Sequence, residues 1–160
     1  MRTATVDDVE YIASAMIRIP AHISQSDPYV DGLPKAVTNS ERDYVRAHIA
    51  DADSIVLVEE SSKRTVGCLV GLIAETSFPP SALGKVGHIS VVWVEPESRG
   101  KGIAGTLIDA AQSWFRNAGL RHMELSYMAN NALASQAWAR MGFRPFRTFA
   151  YKTISVERED

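Results

Sequence analysis

The apolar positions of the chain change period several times along its length, and each change marks an element. Residues 2–6, RTATV, read as a short strand, and Asp7 or Asp8 is placed to cap a helix after it. Val9, Ile12, Ala13, Met16 and Ile17 then recur at helical spacing and make one apolar stripe. SQSDPYVDGLP, at 24–34, is turn chemistry. Thr38 and Glu41 fit a capping box, which predicts a second helix to about residue 50. SIVLVEE (54–60) and TVGCLVGLIAE (65–75) flank the turn SSKR and predict an antiparallel hairpin. Beyond the loop TSFPPSALGK, VGHISVVWV (86–94) predicts a long β-branched strand. A helix is predicted from about 102 to 118, with Ile103, Leu107, Ala110, Ala111 and Trp114 on one face and Gly119 as its stop. RHMELSYM (121–128) reads as a strand, and NNALASQAWARM as a helix ended by Gly142. FRPFRTFAYKTISV reads as two short strands or one bent strand, broken at Pro145. The order β-α-α-β-β-β-α-β-α-β-β shows no linker or repeat. It predicts one mixed α/β domain over residues 1–160, with helices on both faces of a sheet.

Composition narrows the class. The chain has 160 residues, 46 % hydrophobic and 22 % charged, with a formal net charge of −2, as expected of a soluble globular domain. Arg and Lys are scattered and no basic run occurs, which argues against a nucleic-acid partner. MRTATVDDVEYIASAM has polar residues where a signal peptide needs an apolar core. No stretch approaches the roughly 18 apolar residues of a membrane span. The expectation is a cytoplasmic protein without a membrane partner. The one cysteine, Cys68, lies in VGCLVGLIA and reads as a small buried hydrophobe. It permits no disulfide framework or cysteine-rich metal site, and no metal is expected.

Candidate chemistry concentrates at VEPESRGKGIAGTL, residues 94–107. A strand, a glycine-rich turn and a helix start make an anion site, because the first helical N–H groups lack internal partners and the helix dipole favours negative charge there. Gly100, Gly102 and Gly105 are spaced as G-x-G-x-x-G, and Glu124 follows about 20 residues later, where a dinucleotide fold places its ribose-binding acid. Against that reading, EPESR separates the strand from the glycines, and only two helices follow. Arg99, Gly102 and Ala104 fit a second pattern, [RQ]-x-x-G-x-[GA].

With that pattern the stretch VVWVEPESRGKGIAGTLIDAA resembles motif A of the GCN5-related N-acetyltransferases. NNALASQAWARMGF resembles that family's later motif, N-x-x-A-x-x-x-Y-x-x-x-G-F, through Asn131, Ala134, Gly142 and Phe143. The resemblance is strong over 86–143; before residue 54 it rests on element order alone. It implies acetyl-CoA as cosubstrate and transfer of the acetyl group to an amine of a small molecule or peptide in a ternary complex. The backbone N–H groups of Gly100, Lys101, Gly102, Ile103, Ala104 and Gly105 would wrap the pyrophosphate, with Arg99 and Lys101 adding charge. The preceding strand would carry a bulge and splay from its neighbour, so that backbone near Val92, Trp93 and Val94 pairs with the pantetheine and one N–H polarises the thioester carbonyl. Trp93 would wall the acyl pocket, or is an ordinary core or surface tryptophan. Asn131 would bond the pantetheine, or is an ordinary helix N-cap.

The resemblance also frames the acid–base chemistry. Some members place a base early on the cleft strand, where this chain has His88. An imidazole with an ordinary pKa of about 6.5 suits a base near neutral pH. Packing alone is the other reading of His88. Other members place a glutamate five residues before the asparagine, where this chain has Ser126. Glu75 is a weaker candidate acting through water, and His22, His48 and His122 read as surface residues. Trp138 stands where the family has a tyrosine that protonates the departing thiolate, and an indole is no acid at neutral pH. Tyr127, Tyr151 or water is left for that task. At the acceptor end, Asp27, Asp31 and Glu75 could receive a cationic amine. Arg144 and Arg147 could receive a carboxylate, and Tyr29 and Phe78 could line an apolar wall. A homodimer is compatible with the resemblance. A non-catalytic acyl-CoA-binding module is the alternative function, and nicotinamide-dependent reduction ranks below both.

Overall fold

The computed structural model describes residues 1–24, 36–76 and 84–152. The chain opens with a strand, β1 (Arg2–Thr3), and a 3-10 turn (Val6–Asp8) that leads into helix α1 (Val9–Ser24). Thr5, rather than Asp7 or Asp8, is the N-cap. Asp8 reaches back to accept the Thr5 N–H at 2.8 Å and also holds both guanidinium nitrogens of Arg2, at 2.7 and 2.9 Å. Helix α2 (Asn39–Ala50) begins with the expected capping box: Ser40 N–H donates to the Thr38 hydroxyl, and Glu41 takes the Thr38 N–H. Strands β2 (Ser54–Ser61), β3 (Arg64–Glu75) and β4 (Lys85–Val94) follow, then helix α3 (Ile103–Asn117), strand β5 (Met123–Leu125) and helix α4 (Ala132–Arg140).

The five strands lie in sequence order, antiparallel from β1 through β4 and parallel between β4 and β5. One compact unit, Met1–Ser126, holds this sheet with α1, α2 and α3; a second, from Tyr127 onward, holds α4. On one face of the sheet Val9, Ile12, Ala13 and Ala15 of α1 and Val45 of α2 share a core with Val56, Val58, Cys68, Val70, Val91 and Trp93. On the other, α3 lays down Leu107, Ile108, Ala111 and Phe115. The ring of Phe115 packs against the backbone at Gly71 and Gly87, where an added Cβ would lie 3.1 and 2.5 Å from it. Cys68 is fully buried, as its apolar run predicted, and burial pushes its thiol up to about 12.

Three further expectations change. The buried face of α3 ends on Phe115 rather than Trp114, a one-position rotation that puts the ring over those two glycines. Strand β5 has three residues rather than eight, and its partners on β4 are Gly87, His88 and Ile89 alone. The closing strands expected over 143–156 do not form among the described residues, 143–152. Phe146 and Phe149 are three apart, which breaks strand alternation, and Pro145 removes a ladder donor. No helix among the described residues is long and apolar enough to cross a membrane.

Candidate active site

The site is built on the C-terminal half of β4. The ladder with β3 pairs Val70 with Val91 but Gly71 with Ile89, so Ser90 is an extra residue and β4 bulges there. The bulge is braced from α2: the Tyr44 hydroxyl donates to Ser90 Oγ at 2.9 Å, and Ser90 donates to the Val70 carbonyl at 3.2 Å. Beyond the bulge, Glu95 N–H bonds the Val66 carbonyl on β3 at 2.9 Å. Strand alternation then turns the N–H and C=O of Val92 and Val94 the other way. On that side β5 has already ended, and no described strand pairs with residues 90–94. β4 and β5 therefore separate past Ile89 and leave a backbone edge that can accept an extended ligand. Arg99 confirms the direction, since its Nε donates to the Val94 carbonyl at 3.0 Å.

The bulge also decides where Trp93 goes. One inserted residue exchanges the faces of everything after it. Trp93 is 7 % exposed and belongs to the core beneath α1, so its side chain takes the ordinary core reading. The guanidinium carbons of Arg18 and Arg99 lie 4.9 and 5.0 Å from its ring centroid. Arg18 also holds both oxygens of Glu95, at 2.8 and 2.9 Å, and lies 5.6 Å from the Tyr11 ring centroid. Burial raises the Glu95 carboxyl, but the nearby Tyr11 hydroxyl, Arg18 and Trp93 indole outweigh it and leave the group below its ordinary range. The Tyr11 hydroxyl and Trp93 Nε1 face this charge without a hydrogen bond of full geometry. Sequence reasoning missed this cluster. The seven-residue spacing of Tyr11 and Arg18 puts both on one helix face, but Glu95 lies 77 residues from Arg18.

A 3-10 turn, Pro96–Ser98, carries the chain from β4 to the glycine loop. Gly100 and Gly102 have φ of +77° and +82°, left-handed conformations that favour glycine, and Gly102 is the N-cap of α3. The first intrahelical bond here runs from Thr106 N–H to the Gly102 carbonyl, at 3.0 Å. The N–H groups of Ile103, Ala104 and Gly105 precede it and have no partner within the helix. A Cβ built at Gly100, Gly102 or Gly105 would meet nothing within 4 Å. Donors and open space thus coincide, which is what a bulky diphosphate requires. Lys101 and Arg99 are exposed beside the loop.

His88 precedes the bulge and is the register partner of Glu124 on β5. Its Nδ1 lies 3.5 Å from Glu124 Oε1, with the two side chains 31 % and 28 % exposed. Thr76 Oγ1 donates to Glu124 Oε2 at 3.4 Å. Glu75 is exposed at the end of β3, in register with Lys85. His48 stacks on Tyr44 with centroids 4.1 Å apart, its Nδ1 2.8 Å from the Tyr44 carbonyl, and His122 is exposed. The side chain of His22, and Asp27, Tyr29, Asp31 and Phe78, lie outside the described residues.

In the second unit, Asn131 caps α4 by accepting the Ala134 N–H at 3.0 Å, so its cap role is real. Trp138 packs edge-on against Phe143, centroids 5.8 Å apart, and its buried Nε1 has no hydrogen-bond partner among the described groups. Tyr127 is half-buried, and Arg144, Arg147 and Tyr151 are exposed. Among the described residues no group of three or more His, Cys, Asp or Glu is placed to hold a metal ion.

Comparison with known proteins gives the same direction. The profile of the acetyltransferase (GNAT) family matches residues 20–143. No curated protein sequence matches. Among solved structures, a mutant of the BH1408 protein from Bacillus halodurans superposes with a TM-score of 0.84 at 20 % identity, covering 96 % of this chain and 98 % of that one. The aminoglycoside 6'-N-acetyltransferase AAC(6')-IG from Acinetobacter haemolyticus superposes at 0.73 with 15 % identity, covering 98 % of each chain. AAC(6')-Iy in complex with a bisubstrate analogue, CoA-S-monomethyl-acetylneamine, superposes at 0.75 with 17 % identity, covering 96 % of this chain and 97 % of that one. These similarities establish a common fold, and the profile match over most of the length establishes that the chain belongs to the acetyltransferase (GNAT) family.

Proposed function

We propose that the protein is an N-acetyltransferase that moves the acetyl group of acetyl-CoA to a primary amine by direct attack in a ternary complex. The observation that carries the reading is a junction within one unit. There the unpaired edge of β4 runs into a left-handed glycine loop with three helical N–H donors and vacant space above them. Such a surface suits a chain-like cosubstrate with a diphosphate at one end. Gly100 through Gly105 would hold the diphosphate, and Val92 and Val94 would pair with the pantetheine. Asn131 and Ala134 match the family's later motif and Trp138 occupies its tyrosine position, and a share in coenzyme A binding is proposed for all three on that pattern. The aminoglycoside acetyltransferases that share the fold favour a small-molecule amine over a peptide as acceptor.

In this mechanism the ammonium of the acceptor first loses a proton to His88. The amine nitrogen then attacks the thioester carbon, forming the C–N bond, and the carbonyl oxygen takes the electron pair. The Val92 N–H would steady that oxyanion, an interaction of a kind worth about 3 kcal/mol where it has been removed elsewhere. Collapse breaks the C–S bond, and the second amine proton passes from the nitrogen to water as the thiolate departs. A thiol of ordinary pKa, about 8.5, leaves without an obligatory acid. Turnover therefore survives Trp138, whose indole cannot donate a proton, while Tyr127 or water remains able to do so. The buried, unpartnered Trp138 Nε1 is also the observation that favours the second reading, a binding module without turnover.

Ligand-dependent melting and a thiol-release assay test both readings. At about 100 times its dissociation constant, acetyl-CoA is expected to stabilise the fold by about 2.7 kcal/mol, and NADH to do nothing. The reverse result sinks the proposal. Release of free thiol from acetyl-CoA across an amine panel identifies an enzyme; binding with no release for any amine identifies the module.

A further inference from the structure

We propose that Glu124 is the positioning residue for His88, holding the imidazole so that Nε2 faces the acceptor amine as the proton-accepting atom. The inference rests on His88 being the base. Glu124 has no part in the acetyl transfer proposed for the loop and β4, and the dinucleotide reading that gave it a ribose to bind has fallen away. Its placement is nonetheless specific. Parallel pairing sets it directly beside His88 on one face of the sheet, with Nδ1 and Oε1 3.5 Å apart. Its other oxygen is held from the end of β3 by Thr76 Oγ1, at 3.4 Å. The carboxylate is thereby anchored on one side and presented to an imidazole nitrogen on the other.

A carboxylate facing Nδ1 selects the tautomer with hydrogen on Nδ1, which leaves the Nε2 lone pair for the substrate. It also stabilises the imidazolium formed when a proton is taken. The step balances simply: one proton passes from the acceptor nitrogen to Nε2, and Nδ1–H stays with the ring. Stability does not explain the pair, because ion pairs this exposed contribute little. The groups around the ring are Glu124 from β5, Leu72 from β3, Thr76 just past the end of β3, and, two residues along at Ser90, Tyr44 from α2 with His48 stacked on it. Glu124 is the ionised group closest to the ring in this set.

A double-mutant cycle in the full-length protein tests this. The readouts are thiol release from acetyl-CoA with an amine the wild type accepts, and acetyl-CoA binding by thermal shift. Glu124→Gln is expected to lower kcat about ten- to a hundredfold, within the usual contribution of a general base. The KM for the amine is expected to stay as in the wild type, because Glu124 orients the base and does not touch the substrate. In a His88→Ala background the same substitution is expected to change nothing, because its effect passes through the ring. Acetyl-CoA binding stays as in the wild type throughout. Equal losses from Glu124→Gln with and without His88 overturn the positioning role while leaving His88 as base. A rise in KM for the amine with kcat unchanged overturns it in favour of direct recognition of the substrate cation. Full activity with an unchanged profile in His88→Ala removes the base reading itself.

Discussion

Gly105 sits in the first turn of α3 in ordinary helical backbone, and a Cβ there would touch nothing. The fold therefore gains nothing from a glycine that destabilises a helix by about 0.8–1 kcal/mol relative to alanine. Gly105→Ala is expected to raise stability by about that amount in urea unfolding while weakening acetyl-CoA binding, because the methyl enters the space proposed for the diphosphate. Gly87 is the opposite case. Its absent side chain is filled by the buried ring of Phe115, 2.5 Å from where a Cβ would stand. Gly87→Ala is expected to cost about 1–3 kcal/mol by overpacking, read as a lowered urea midpoint. Both glycines were visible in the sequence, but their meanings were not. Spacing marked Gly105 as part of a loop pattern, whereas Gly87 acquires its role only from the ring of Phe115, which the expected apolar face of α3 did not include.

At the level of elements, α1 is fastened to the end of β4 by Arg18 and Glu95, with Trp93 between Arg18 and Arg99. Arg99 in turn holds the last carbonyl of β4 and begins the glycine loop. Substitution of Arg18 by Met keeps the apolar stem and strands the Glu95 carboxylate. A loss of about 1–3 kcal/mol is expected in chemical unfolding, the cost of an unpaired charge at a site only partly closed to water. A loss in acetyl-CoA affinity should accompany it, because Trp93 and Arg99 lose their backing. The capping box of α2 was legible because all its partners lie within four residues. The Arg18–Glu95 tie was not, because tertiary packing alone makes them neighbours. The same distinction explains β5, expected over eight residues but paired over only three, where β4 turns away at its bulge.

For the whole molecule, the family was readable from motif spacing, since the loop and the Asn131 motif both fall within the stretch that the family profile matches. The face of Trp93 was not, because a single inserted residue, Ser90, reverses it. The pH dependence of stability is likewise a property of the assembled fold. Asp8 is opposed by burial but held low by Arg2 and Thr5, and Glu95 is held low by Tyr11, Arg18 and Trp93 against its own burial. Depressed carboxylates contribute stability above their unfolded values, about 4, and lose it as the pH falls through their folded ones. Burial raises Cys68, to about 12, and Tyr11, with Glu95 reinforcing the latter. Raised acids contribute stability below their unfolded values, which fades as pH climbs beyond about 8.5 for the thiol. Urea midpoints are expected to be flat between about pH 5 and 8 and to fall on both sides. Asp8→Asn should blunt the acid fall and Cys68→Ala the alkaline one.

Burial of Cys68, the single cysteine, has a practical corollary. A thiol that is neutral and enclosed does not react with colourless disulfide dyes at neutral pH. In a mixture of this protein, acetyl-CoA and an amine, the dye would therefore colour with released coenzyme A alone. Add denaturant instead of substrate, and the same dye counts one sulfur per molecule as each core comes apart.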